Sequence, residues 1–211
     1  TGHAFAALKN DGSVVTWGPG STSSDISDVL EISSNLYAFA ALKNDGSVVT
    51  WGTTSYGGDS SSVGSQINSD VIKIFAAEQA FAALKSDGSV VTWGYSDWGG
   101  DSYLVSDKIN SGVSDIFATR HAFAALKDDG SVVTWGHSER GGDSSSVSSE
   151  LSSGVIHIHS VGSSFAALKQ DGSVVTWGDT SVYGAGDSSS VSSELSSGVV
   201  GFADPLLNDI Y

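Results

Sequence analysis

The sequence predicts a mainly β repeat protein, propeller-like, built from five units of about 42 residues, and three observations predict it. A fifteen-residue phrase occurs in five near-copies, at 4–18, 38–52, 80–94, 122–136 and 164–178. From the second copy onward the phrase returns every 42 residues, and a fixed period of that size marks an array of one supersecondary unit. Each copy also carries an Asp-Gly pair between two short apolar runs, the signature of a β-hairpin.

The phrase reads Ala-Phe-Ala-Ala-Leu-Lys, one varied residue, then Asp-Gly-Ser-Val-Val-Thr-Trp-Gly, with Ser164 replacing the first alanine in the fifth copy. In the second unit, Asp45 and Gly46 turn the chain between 39–42 and 48–51. Neither alternation frame of this hairpin is polar: Phe39, Ala41, Val49 and Trp51 share one parity, Ala40, Leu42, Val48 and Thr50 the other. A hairpin apolar on both sides must be covered on both sides, which stacked units would do. Ahead of each hairpin stands a third strand, at 29–32, 71–75, 113–117 and 155–159. In the second of these, alternation puts Ile72 and Ile74 on one side and Lys73 on the other. After each Trp-Gly comes a glycine turn and a serine-rich segment. There Val63 and Ile67, Val105 and Ile109, Val147 and Leu151, and Val191 and Leu195 are four apart, which suits one helical turn packing inward, with Asp or Ser at its start. A short fourth strand is the alternative. The first unit lacks eight residues at this connection.

The ends complement each other. Residues 199–203 read as one more leading strand with no hairpin after it, while the hairpin beginning at Ala4 has no leading strand before it. Closure is therefore expected between Val199, Val200 and Phe202 on one side and Ala4, Phe5 and Ala6 on the other. It would occur within the molecule as a five-bladed ring, or between molecules as a head-to-tail polymer. The domain reading is a single repeat domain over 1–203, with units near 1–28, 29–70, 71–112, 113–154 and 155–198. The closing strand follows at 199–203 and a tail at 204–211.

Composition narrows the function. Nine Lys and Arg against 24 Asp and Glu give a net charge of −15, which argues against nucleic-acid or anionic-membrane binding through a basic face. Cysteine and methionine are absent, so there is no disulfide framework, thiolate metal site or cysteine nucleophile. No apolar run approaches the roughly 20 residues of a spanning helix. The chain starts at Thr1, as expected of an excised fragment or a mature product, and an extracellular or cell-surface location fits this composition.

Ala41-Leu42, Asp45-Gly46, Val48 and Trp51-Gly52 resemble the repeat of the regulator of chromosome condensation family, whose pattern is A-L-x-x-D-G-x-V-x-x-W-G. The resemblance recurs five times and implies a β-propeller or a shortened, array-type bacterial relative of one. The family's continuation N-x-x-G-Q-L-G is replaced here by Thr54-Ser55-Tyr56-Gly57-Gly58-Asp59-Ser60, and its nucleotide-exchange residues cannot be placed.

No catalytic constellation stands out, and the chain reads as a non-enzyme without cofactor or metal. The repeated tryptophans read as packing between units, with sugar stacking as the second reading. Asp59, Asp101, Asp143 and Asp187 read as helix caps rather than calcium ligands. His157 and His159 are a property of one unit and read as surface histidines rather than a zinc pair. The repeated lysines before the turn read as partners of the turn aspartates. Two functions follow: a structural or interaction module that binds itself or another surface protein, or a glycan-binding propeller. For either, the candidate contact residues are the varied ones after Trp-Gly, chiefly Tyr95, Asp97, Trp98, His137 and Glu139.

Overall fold

The computed structural model describes residues 1–19, 26–181 and 185–203. It contains five antiparallel sheets. The first is the hairpin β1 (Phe5–Leu8) and β2 (Val14–Trp17). The second unit adds a leading strand, giving β3 (Val29–Ser34), β4 (Ala38–Lys43) and β5 (Val48–Gly52) in spatial order. The third repeats this as β6 (Val71–Ala76), β7 (Ala80–Lys85) and β8 (Val90–Gly94). The fourth has β9 (Val113–Ala118), β10 (Ala122–Lys127) and β11 (Val132–Gly136). The fifth has β12 (Val155–Val161), β13 (Ser164–Lys169) and β14 (Val174–Gly178). The serine-rich segments form 3-10 turns at Ser61–Val63, Tyr103–Lys108, Ser145–Val147 and Ser189–Val191, so the helical alternative holds over the fourth strand.

The two apolar parities of each hairpin serve two different neighbours. Ala38, Ala40 and Leu42 of β4 pack against Phe81, Ala83, Val91 and Trp93 of the following hairpin. Ala80, Ala82 and Leu84 meet Phe123, Ala125, Val133 and Trp135 in the same way, and Ala122, Ala124 and Leu126 meet Phe165, Ala167 and Trp177. A fourth core joins Ala4 to Phe39, Ala41 and Trp51. Small alanines on one face receive the large rings of the next, which is how two flat sheets interdigitate at close range. Glycine makes this approach feasible: a Cβ on Gly99 would sit 2.5 Å from Cδ2 of the fully buried Phe123.

A bulge alters the leading strands. The register shifts between Val71 and Lys73, so Val71 and Ile74 are buried while Ile72 and Lys73 both face out. The expected pairing of Ile72 with Ile74 on one side is thus corrected, because the extra residue reverses the alternation. The bulge recurs in β3, β9 and β12. The residue before each leading strand has positive φ: Asp28 and Asp70 in two units, Gly112, Gly154 and Gly198 in the others.

Along the inner rim, backbone bonds tie unit to unit. The N–H of Gly2 donates to Leu36 C=O (2.8 Å), Leu36 to Glu78 (3.2 Å), Glu78 to Arg120 (2.9 Å) and Arg120 to Gly162 (3.1 Å). The inner turns of all five units line one cavity of about 780 Å³. The units therefore wind about a common axis, as propeller blades do.

The ring is not closed by 199–203. This segment forms no strand, Val200 is 97% exposed, and β1 pairs with β2 alone among the described residues. Val199 does donate its N–H to Gly172 C=O at 3.0 Å, the bond that Val29, Val71, Val113 and Val155 make onto the preceding unit. Phe202 stacks on His159 with centroids 5.6 Å apart. The segment thus starts a fifth leading strand on the fifth unit but meets no hairpin there, and a strand without a ladder partner does not form. The expected tail at 204–211 lies outside the described residues.

Candidate interaction surfaces

Two surfaces emerge, one at the end of the array and one along its side. At the end, β1 and β2 present a stacked Phe5–Trp17 pair, centroids 5.2 Å apart, that is 64% and 50% exposed. The same pair is buried in every later unit, as Phe39–Trp51, Phe81–Trp93, Phe123–Trp135 and Phe165–Trp177. Ala4 is buried and Ala6 half-buried against the second unit, so the closure residues of the first hairpin point both ways.

Trp93, Trp135 and Trp177 each donate Nε1–H to the first glycine carbonyl of the preceding turn, Gly57, Gly99 and Gly141, at 3.2 Å. These tryptophans are packing residues, in agreement with the first reading of the sequence. Trp51 is buried without such a partner among the described residues, because the trimmed first connection lacks the Gly-Gly turn.

Along the side, the varied positions gather. Tyr95 follows Gly94, donates its N–H to Gln79 C=O and leads into the 3-10 turn Ser96–Trp98. Its ring meets Trp98 edge-on at 5.9 Å, and Trp98 meets His121 of the next unit edge-on at 4.2 Å. His121 approaches His137 at 6.4 Å. In the other direction Tyr95 touches Tyr56 at 5.9 Å, and Tyr56 touches Tyr37 at 4.6 Å. Asp97 and Glu139 stand exposed beside this row. The structure therefore joins Tyr95, Trp98 and His137 into one track, flanked by the two acids.

Sequence reading missed Tyr37, Tyr56 and His121. Their signal was the same period: Tyr37, Gln79, His121 and Ser163 occupy one repeat position, and Tyr56, Trp98 and Arg140 another. Burial first, then Arg140, His137 and Arg120, hold His121 down to about 4, so its imidazole is neutral and its Nδ1 lies 3.2 Å from Ser163 Oγ.

The other polar candidates have structural partners. Oδ1 of Asp59, Asp101, Asp143 and Asp187 each accepts a bond from the N–H two residues on, at 2.8–2.9 Å; the cap position itself is the serine in between, so these aspartates order the entry to the 3-10 turn rather than cap it as expected. His157 meets Phe117 edge-on at 5.4 Å, and His159 lies under Phe202. Lys9 pairs with Asp11 at 3.3 Å, whereas Lys127 and Lys169 reach instead to the Lys108 and Glu150 carbonyls of the preceding unit.

No protein-family model and no curated protein matches the chain. Among solved structures, it is similar to the CRINKLY WD40 ectodomain of the Arabidopsis thaliana receptor kinase ACR4, with 19% identity, a TM-score of 0.52, and 84% of this chain covering 63% of that one. It is likewise similar to Prp20p of Saccharomyces cerevisiae, the yeast RCC1, with 16% identity, a TM-score of 0.54, and 84% and 56% coverage. Human WBSCR16 matches at 17% identity, a TM-score of 0.52, and 83% and 59% coverage. The fold is thus RCC1-like and propeller-type, and the chain spans between about half and two thirds of the length of these proteins.

Proposed function

We propose that this chain is a non-enzymatic, array-type interaction module that associates with copies of itself through its ends, outside the cell or at its surface. The observation that carries the reading is the exposed Phe5–Trp17 pair: four successors bury the same pair against the preceding unit, whereas the first pair is left exposed among the described residues. Burying an aromatic side chain is worth about 1.5–3 kcal/mol, so the exposed pair is an adhesive surface. At the other end, Val199 makes the backbone bond of a leading strand, and residues 199–203 have no ladder partner among the described residues, the place that the first hairpin of a second copy would take. The fold supports the class of function, since Prp20p, which shares it, binds Gsp1p and histones. The acidic composition without cysteine or methionine is compatible with that location.

The mating face of the fifth unit differs from the internal ones. Ser164, which replaces alanine, and Leu168 are already buried within the single copy, and Ala185 stands where Gly57, Gly99 and Gly141 lie under the next phenylalanine. Association through it is therefore weaker than an internal junction, and reversible. Sedimentation velocity and negative-stain microscopy of the concentrated protein test this. Linear oligomers are expected, dispersed by Phe5→Ser with Trp17→Ser and strengthened by Ala185→Gly. A wild-type chain that stays monomeric at high concentration, or oligomers indifferent to the first pair of substitutions, would overturn the reading.

A further inference from the structure

The aromatic track along the side has no role in the end-to-end junction, and the fold does not require it. The fifth unit carries Ser163 and Asp179 where the fourth has His121 and His137, and the third has Gln79 where the second has Tyr37; all build the same three-stranded sheet. The phrase residues do the packing, and the varied positions are free to take any side chain. Across the second to fourth units they are nevertheless filled with rings in continuous contact: Tyr37, Tyr56, Tyr95, Trp98, His121 and His137.

We propose that this track binds a neutral polysaccharide, laid across the unit boundaries. Three features select that ligand class. Tyr95 is exposed and Tyr37, Tyr56, Trp98 and His137 partly so, while His121 is buried; the accessible rings offer apolar faces and edges for the C–H faces of pyranose rings, as aromatic side chains with one wet side do at binding surfaces. Asp97 and Glu139 stand exposed at the flank, acceptors for vicinal hydroxyls, with the Ser55, Ser96 and Ser138 hydroxyls at the same turns. Finally, the net charge of −15 disfavours an anionic glycan, a nucleic acid or an acidic peptide, while at the track itself Asp97 and Glu139 offset Arg120 and Arg140. The track also ends in a built concavity. A cleft of about 320 Å³, lined by His3, Pro19, Tyr37, Phe39 and Thr53 among others, opens beside Tyr37, within the size range of small-ligand sites.

The test uses the intact chain and three neutral polysaccharides, β-glucan, xylan and chitin, with polygalacturonate as the acidic control. Pull-down on the insoluble forms is followed by titration of their soluble oligosaccharides, read by tryptophan fluorescence. Two variants borrow the protein's own alternatives: Tyr95→Asp with Trp98→Arg, which places the fifth unit's Asp and the fourth unit's Arg in the third, and Tyr37→Ser. Both variants use residues found at the same repeat positions elsewhere in the chain, and thermal melting verifies that each remains folded before its binding is read. Retention on at least one neutral polysaccharide is expected, with affinity falling about tenfold or more in the double variant. Three results would overturn the proposal: no neutral polysaccharide retained, binding indifferent to both variants, or the same face taking a proline-rich peptide in place of sugar.

Discussion

Trp51 and Trp93 occupy the same repeat position and are both buried, yet among the described residues only Trp93 of the two has an acceptor for its indole N–H, the Gly57 carbonyl. Removing a paired donor strands a buried carbonyl, whereas removing an unpaired one relieves a desolvated group. Trp93→Phe is therefore expected to cost about 1–2 kcal/mol more than Trp51→Phe in chemical denaturation, since the two share their packing loss. Glycine gives a second contrast. Gly99 has φ of 98° and no room for a Cβ against Phe123, while Gly162 has φ of 55° and nothing within 4 Å of its added carbon. Gly99→Ala combines left-handed strain with overpacking and should cost about 2–4 kcal/mol, against about 1 kcal/mol for Gly162→Ala. Equal thermal midpoints for the two variants would contradict the packing described for that turn.

The hairpin turn shows what a short sequence can specify. In each Asp-Gly turn the aspartate Oδ1 accepts bonds from both the N–H and the Oγ–H of the serine two residues later, as in Asp87 with Ser89 at 2.9 and 2.6 Å. These bonds, the serine hydroxyl's first, hold Asp45, Asp87, Asp129 and Asp171 below the ordinary carboxylate range and bring Asp11 to about 2. A depressed folded pKa means that the unfolded chain takes up protons first. The stabilisation is therefore complete above the unfolded value near 3.8 and fades as pH falls through the folded one. Melting followed by circular dichroism should show stability dropping steeply below pH 4, and Ser47→Ala with Ser89→Ala should flatten that drop. Such turns were legible because the Asp-Gly-Ser order is local. The leading-strand bulge was not: no residue in Val71-Ile72-Lys73 announces it, and it is set by pairing with β7. Tyr37, Tyr56 and His121 escaped for the same reason, since their meeting depends on which face a unit turns to its neighbour.

At the scale of the molecule, the two apolar faces of the hairpin made stacking legible, but the angle between stacked units is set by packing that no single unit reveals, so ring closure was not. End-to-end association faces an electrostatic constraint. Each copy carries a net charge of −15, and head-to-tail association brings two such bodies together around a small apolar contact. Repulsion between bodies is screened over a Debye length of about 30 Å at 0.01 M salt but only about 8 Å at 0.15 M. The Phe5–Trp17 contact is apolar and gains from salts that strengthen burial. Both effects have the same sign, so association should rise with salt, unlike a junction held by surface ion pairs. Light scattering across a sodium chloride series at neutral pH is expected to show larger species at higher salt, with sulfate more effective than chloride. Phe5→Ser with Trp17→Ser should abolish the trend, because it removes the attraction and leaves the charge unchanged. Assemblies that dissolve as salt is raised would point to charge pairing at the junction and remove the apolar end from its role.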